Sequence, residues 1–277
     1  MMQRAPDPFG QRLALAVRRI GSPVCVGLDP HPGRVPTGEG AQAALDFCRG
    51  VIDVVHDVVP AVKPQVAFFE RMGWQGVRAL EQVVQHASDA GLMVILDAKR
   101  GDIGSTARAY AEATLHTADA VTLSPYLGPE SLTPFQEHAG KGLFVLVRTS
   151  NPGASLWQTE TGAAEAVAEW VQSQALATMG ADALGDVGAV IGATVPEEAA
   201  HWRDAMPNAW LLVPGFGAQG GTATTADPLF RADGLGALVV SARGVLYGDA
   251  TQDQTDYRAG VRLRAQRLAA TFAGKLR

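Results

Sequence analysis

Asp97, Lys99 and Asp102 stand at fixed spacing in the run Asp97-Ala98-Lys99-Arg100-Gly101-Asp102, and their types limit the chemistry they could do. Residues 93–98 form a short, β-branched apolar run of the kind that makes a buried strand. Side chains alternate across a strand, so Asp97 and Lys99 share one face and Ala98 takes the other. Gly101 breaks the run, and Asp102 stands where a helix begins. Opposite charges at the end of a buried strand are costly unless they are paired or used. One reading is a structural ion pair with Asp102 as a helix N-cap; the other is a reactive array. Composition bears on the choice. Of 23 Lys and Arg residues only Lys63, Lys99, Lys141 and Lys275 are lysines, and two of these fall at predicted strand ends. Arginine holds its proton whereas lysine can give one up, so lysine chemistry is wanted there. A Schiff-base mechanism needs a desolvated neutral amine. The carboxylates beside Lys99 favour an ammonium, which suits proton donation and carbanion stabilisation.

The elements that position these groups repeat in one pattern. Short apolar strands are predicted at residues 23–29, 61–65, 93–98, 120–124, 143–148, 187–193, 209–213 and 237–241. Helices follow seven of them, at 41–58, 74–90, 103–116, 131–138, 162–179, 196–205 and 253–272, a glycine-rich loop follows the strand at 209–213, and an extra helix at 8–20 is expected to act as a lid. Alternation of this kind implies right-handed βαβ units and a parallel sheet. Eight units predict an α/β fold, a (β/α)8 TIM barrel, as a single domain over 1–277 with an extra N-terminal helix. An open doubly wound sheet is the rival, but no G-x-G-x-x-G turn follows the first strand.

In such a barrel the reacting groups belong at the C-terminal strand ends. Asp29, Lys63, Asp97 and Lys99 occupy those ends, and Arg243 lies just past the last strand. The glycine-rich run Pro214-Gly215-Phe216-Gly217-Ala218-Gln219-Gly220-Gly221 offers bare N–H groups in the loop after the seventh strand, the usual phosphate position with its neighbour.

Other classes fit poorly. A net charge of −5 without a basic run argues against a nucleic-acid partner, and no apolar stretch is long enough for a membrane span. The start has no secretory h-region, so a cytoplasmic address is expected. Cys25 and Cys48 read as buried free thiols. His31, His56, His86, His116, His138 and His201 read as solvated surface, and no metal or cofactor is expected.

These residues resemble the orotidine 5′-phosphate decarboxylase family, in particular its longer bacterial branch. The resemblance rests on L-D-A-K-R-G-D-I-G-S-T-A at 96–107, V-G-L-D-P at 26–30, K-P-Q at 63–65, T-S-N-P-G-A at 149–154, V-P-G-F-G-A-Q-G-G at 213–221 and S-A-R-G at 241–244. It implies decarboxylation of orotidine 5′-phosphate to UMP without a cofactor. It further implies Asp29 on the ribose, Lys63 on the sugar hydroxyls and Asp97, Asp97 facing the substrate carboxylate, and Lys99 protonating C6. Ser150 would contact the pyrimidine, Gln219 would bridge base and phosphate, and Arg243 would hold the phosphate. Ile103, Pro214, Gly220 and Gly244 complete the implied substrate-binding set. Asp102 and Thr106 would reach the neighbouring subunit's site, which implies a homodimer with shared active sites. The extended segment at 149–161 departs from shorter relatives. A Mg²⁺-dependent sugar-phosphate lyase of the same suprafamily and a non-catalytic phosphate-binding barrel are the alternatives.

Overall fold

Strands buried on both faces need a cover on each side, and this chain supplies it by closing a parallel sheet on itself and surrounding it with helices. The structure is a computed structural model that describes residues 6–192, 196–216, 226–248 and 256–276. Its strands are β1 (Val24–Leu28), β2 (Ala61–Pro64), β3 (Met93–Arg100), β4 (Ala120–Leu123), β5 (Gly142–Arg148), β6 (Val187–Ile191), β7 (Leu211–Pro214) and β8 (Ala237–Ser241). They pair in sequence order, all parallel, and β8 closes on β1 through Val24 opposite Val239 and Cys25 opposite Val240. The (β/α)8 barrel expected from the alternation is the fold observed.

The principal helices are α1 (Phe9–Ile20), α2 (Gly40–Val55), α3 (Val66–Glu70), α4 (Gly73–Asp89), α5 (Gly104–Leu115) and α6 (Thr133–Gln136). They continue with α7 (Ala154–Gln158), α8 (Ala163–Ala177), α9 (Pro196–Ala205), α10 (Arg243–Leu246) and α11 (Tyr257–Thr271). Alternation divides the strand residues between two cores. Val26, Leu28, Val62, Val94, Leu96 and Val121 pack outward against the helices. Cys25, Ala61, Met93, Ile95, Phe144, Leu212 and Leu238 fill the barrel. Short α3, α7 and α10 follow β2, β5 and β8 directly and have too few residues to show a helical period in the sequence.

The first helix is not a lid. Phe9, Leu13 and Val17, spaced four apart on one face of α1, belong to the barrel's inner core. The Phe9 ring meets Phe144 edge-on with centroids 5.9 Å apart. The Gly10 N–H donates to Asp186 Oδ1 at 2.9 Å, Gly10 O accepts from Trp210 Nε1 at 3.1 Å, and Arg12 pairs with Asp119 at 2.8 Å. Asp119 and Asp186 lie just before β4 and β6, so α1 plugs the N-terminal end of the barrel, opposite the strand tips that carry Lys63 and Asp97. Gly142, first in β5, makes room: a Cβ there would come within 2.3 Å of the Phe9 ring. The expectation failed because an apolar stripe reports that a helix is buried and not which end of the barrel it covers.

Two strands carry irregularities. In β3 the pairing runs from Leu96–Val121 to Arg100–Leu123, and in β5 from Leu146–Val190 to Arg148–Ile191, so each gains residues its partner lacks. Such bulges re-aim side chains at barrel rims.

If the plug supports stability alone, Phe9→Ala should lower unfolding free energy by about 3–5 kcal/mol, the usual cost of emptying a buried phenyl site. Leu15→Ala on the exposed side of the same helix, 53% accessible, should change it by less than about 0.5 kcal/mol. Urea denaturation of the two variants measures the difference.

Candidate active site

Lys63 ends the inward face of β2, two residues past Ala61, and Asp97 ends that of β3, two past Ile95. Their side chains are almost fully buried and meet at 2.5 Å between Lys63 Nζ and Asp97 Oδ2. Gln65 Nε2 also donates to Oδ2 at 3.1 Å. On the other oxygen, Asp97 Oδ1 accepts from Lys99 Nζ and, at 3.0 Å, from Thr122 Oγ1. One buried carboxylate therefore accepts four hydrogen bonds, two of them from ammonium groups, which fills the lone-pair sites it has.

Lys99 reaches this position through an unusual backbone. It is one of two non-glycine residues with positive φ among the described residues, at 47°, inside the β3 bulge. A bulky residue there is strained unless its surroundings hold it. Thr122 does so: its hydroxyl accepts the Lys99 N–H at 2.9 Å and donates a hydrogen bond to Asp97 Oδ1 at 3.0 Å. Alternation alone would place Lys99 on the same face as Asp97; the bulge sets how it stands there. Lys63 lies in the barrel wall, whereas the Lys99 side chain, 44% exposed, stands at the mouth.

Electrostatics follow from these contacts. Burial raises the Asp97 carboxyl, but the charges and hydrogen bonds of Lys63 and Lys99 outweigh it and hold it well below the ordinary carboxylate range. Burial pushes Lys63 down, and the charges of Asp97 and Asp29 more than restore it, leaving it above its usual value. Asp29 behaves oppositely. Burial raises its pKa, Lys63 lowers it only in part, and its Oδ1 is buried without a hydrogen-bond partner among the described residues. An acceptor of this kind is satisfied by a hydroxyl delivered from outside. The turn carrying it is fixed by Tyr247, whose hydroxyl donates to Asp29 O at 2.8 Å and accepts the His31 N–H at 2.9 Å.

These groups line one cavity of about 290 Å³ at the C-terminal mouth of the barrel. Of the residues singled out in the sequence, Asp29, Lys63, Asp97, Lys99, Ser150, Pro214 and Arg243 line it. Arg243 is the first residue of α10, and Gly244 follows it, exposed and away from the lining. Asp102, Ile103 and Thr106 also lie off the lining. The α5 N-cap position is Ile103, with Asp102 one residue earlier, its carboxylate accepting the Ile103 N–H at 2.8 Å. Gln219 and Gly220 lie outside the described residues. A larger groove of about 920 Å³ between α2 and α4 contains neither the lysines nor the paired carboxylate.

The sequence reading assigned no role to Thr122, Gln65, Asn151 or Tyr247. Gln65 stands in the quoted K-P-Q run, but Thr122 sits in an apolar strand with no local signal. His31 is not plain solvated surface: its ring packs at a tilt against Phe68, with centroids 4.3 Å apart, and meets Tyr247 edge-on. Among the described residues no group of three or more acidic, His or Cys side chains is arranged to hold a metal ion.

A sequence model of the orotidine 5′-phosphate decarboxylase / HUMPS family matches residues 22–254. An orotidine 5′-phosphate decarboxylase from Rhodopirellula baltica is 45% identical over 266 residues, covering 86% of this chain and 88% of the relative. The chain belongs to the orotidine 5′-phosphate decarboxylase / HUMPS family. A Streptomyces avermitilis crystal structure assigned the same activity is 35% identical, with TM-score 0.85 and coverage of 100% of this chain and 98% of that one. Leishmania donovani OMP decarboxylase is 37% identical, with TM-score 0.78 and coverage of 96% and 98%. The family resemblance read from the motifs is thus shown over most of the chain, and its barrel with it.

A carboxyl held low in the folded state contributes stability above its unfolded pKa, about 3.9, and loses it as pH falls toward the folded value. Asp97→Asn should therefore cost several kcal/mol at pH 7, about 3–5 for breaking a buried pair. The gap to the parent should narrow as pH drops below about 4. Urea midpoints of both proteins across pH 3–7 test this; a gap independent of pH would mean that Asp97 does not carry the charge.

Proposed function

We propose that this enzyme decarboxylates orotidine 5′-phosphate to UMP in the cavity at the barrel mouth, with Lys99 as the proton donor to C6. The activity is that of the family relatives. The observation that supports the assignment of roles is the buried Asp97 carboxylate clamped between Lys63 and Lys99.

The chemistry explains why such a clamp is needed. Breaking the bond from C6 to the carboxylate releases CO₂ and leaves the electron pair in an in-plane orbital at C6, where the ring offers no adjacent sink. Stabilisation must come from a preorganised positive charge. Lys99 supplies that charge and then transfers its proton to C6, so the pair ends in a C–H bond and the lysine is left neutral until solvent reprotonates it. Phosphate at Arg243, ribose hydroxyls at Asp29 and Lys63, and the base near Ser150 fix the ring over Lys99. Those remote contacts supply binding energy that is used at the reacting carbon. Pro214, on the cavity lining, and Gln219 and Gly220 are assigned to the same substrate surface, whereas Ile103 and Gly244 lie off it. Asp97 facing the substrate carboxylate repels it by about 4 kcal/mol at 4 Å with an effective dielectric near 20. Carbanion stabilisation ranks above this repulsion as the source of rate.

The Mg²⁺-dependent lyases of the suprafamily need an open carboxylate near the second strand's end. Here that place holds Lys63, and the four acceptor positions of Asp97 are taken by Lys63, Gln65, Lys99 and Thr122. Conversion of orotidine 5′-phosphate, followed by its absorbance, should proceed unchanged in EDTA and vanish in Lys99→Ala. Loss on chelation, restored by Mg²⁺, would favour the lyase.

We further propose a homodimer in which Asp102 and Thr106 complete the partner's site. The support is positional. Asp102 is off its own cavity, beside Ile103, an apolar side chain 56% exposed. The adjoining turn after β4, tied to β3 by Ser124 N–H donating to Arg100 O at 2.8 Å, adds exposed Tyr126 and Leu127. A cytosolic location fits two buried free thiols, Cys25 and Cys48, and no helix among the described residues is long and apolar enough to cross a membrane. Because a two-fold contact is isologous, mixing Lys99→Ala with Asp102→Ala should place both lesions in one site and leave the other intact. Activity should return in heterodimers, up to about one native site each. Proven heterodimers without activity would place Asp102 in its own subunit's chemistry.

A further inference from the structure

The segment after β5, residues 149–161, carries a bracing arrangement around one residue. Thr149 follows the β5 bulge, and all three of its polar groups are held by side chains from other elements. Its N–H donates to Gln158 Oε1 at 2.9 Å. Its carbonyl accepts from Arg148 Nη1 at 2.9 Å. Its hydroxyl accepts from Gln158 Nε2 at 2.8 Å and donates to Asn151 Oδ1 at 2.6 Å. Arg148 is itself fixed: its Nε donates to Glu198 Oε2 at 2.9 Å, and Trp202 Nε1 donates to the same oxygen at 3.0 Å.

The directions of these bonds are set by chemistry. Thr149 N–H can only donate, so the Gln158 oxygen must face it and its NH₂ must face the hydroxyl. The hydroxyl, already an acceptor, has one proton, and it goes to Asn151 Oδ1. That orients the Asn151 amide and leaves its NH₂ as the group available for other partners. Thr149, Ser150 and Asn151 all line the cavity, whereas Gln158 does not. Gly192 at the end of β6 lets the loop lie close, since a Cβ there would come within 2.9 Å of Ser150 N.

We propose that Gln158 is a positioning residue that sets, through Thr149, the donor–acceptor polarity of the Ser150–Asn151 rim facing the pyrimidine ring. The proposal rests on the cavity's being the pyrimidine nucleotide site and adds to it the residue that fixes base recognition. Gln158 touches no substrate. It acts as part of a relay from α7 to the rim, and because the relay ends at the base, it leaves the phosphate and ribose contacts at Arg243 and Asp29 untouched.

The relay predicts a split by ligand that a general loss of structure would not produce. Gln158→Leu removes both bonds to Thr149. Thr149→Val keeps the N–H and C=O braces and removes only the hydroxyl link. Each should weaken UMP binding by about tenfold, the scale of one lost buried hydrogen bond with its misoriented partner, and leave ribose 5-phosphate binding within twofold. The double variant should lose no more than either alone, since both cut one relay. Thr149→Ser, which keeps every bond, should bind UMP as the parent does. Calorimetric titration of the full-length enzyme with UMP and with ribose 5-phosphate provides the readout. Equal weakening of both ligands, or parent-like UMP affinity in Gln158→Leu and Thr149→Val, would overturn the assignment of Gln158. A parent enzyme that binds ribose 5-phosphate but gains nothing from the base would overturn the nucleotide reading beneath it.

Discussion

The Asp97 carboxylate cannot sit at the end of a buried strand without its partners, and most of the upper barrel is arranged to provide them. An ion desolvated in this way costs several kcal/mol, which a single ammonium contact offsets only when the remaining lone pairs are also satisfied. Lys63 comes from β2, Gln65 from the turn after it, Lys99 from the same strand and Thr122 from β4. Three neighbouring strands must therefore converge at one height. Parallel closure of the sheet imposes that convergence, which an open sheet edge would not. The β3 bulge is part of the same arrangement, because it carries Lys99 in a left-handed conformation whose N–H finds Thr122.

Stability and chemistry are divided between the two ends of the barrel. At the N-terminal end α1 seals the interior with Phe9, Leu13 and Val17, and polar contacts there close on backbone groups. At the C-terminal end Asp29 keeps a buried oxygen with no hydrogen-bond partner among the described residues, and burial raises its carboxyl above the ordinary value. The apolar floor contributes the stability that makes an unsatisfied mouth tolerable.

Much of this arrangement was legible in the chain because burial and period leave a strong signal. All eight strands appear where apolar runs predict them, and Asp97 and Lys99, expected on one face of the third strand, meet there. The signal carries no direction along the barrel axis, so α1 was expected over the mouth and lies on the floor. It also carries no information on single-residue geometry. Nothing in the sequence marks Lys99 for positive φ, where glycine or asparagine is the usual choice. Thr122, inside Ala120–Leu123, resembles any β-branched strand residue until its hydroxyl is placed between Lys99 and Asp97. Helices as short as α7 lack a period altogether, so Gln158 read as loop.

The division of labour between arginine and lysine gives the composition its meaning. Arg100, adjacent to Lys99, pairs with Glu70 and lies over the Tyr110 ring at 5.2 Å. Arg148 and Arg262 likewise hold carboxylates, while Arg203, buried, holds backbone carbonyls through its fixed fork of donors. These are static tasks that a permanently charged, planar group performs well. Lys141 and Lys275 show that lysine is also used structurally here, on a carbonyl and on Asp227. Lysine stands beside the clamped carboxylate itself, however, at Lys63 and Lys99. A compact point charge can approach a developing carbanion and release a proton to it, whereas a guanidinium would spread its charge and keep its proton. The alternation Lys99-Arg100 thus places an ammonium on the cavity side of β3 and a permanent brace on the other.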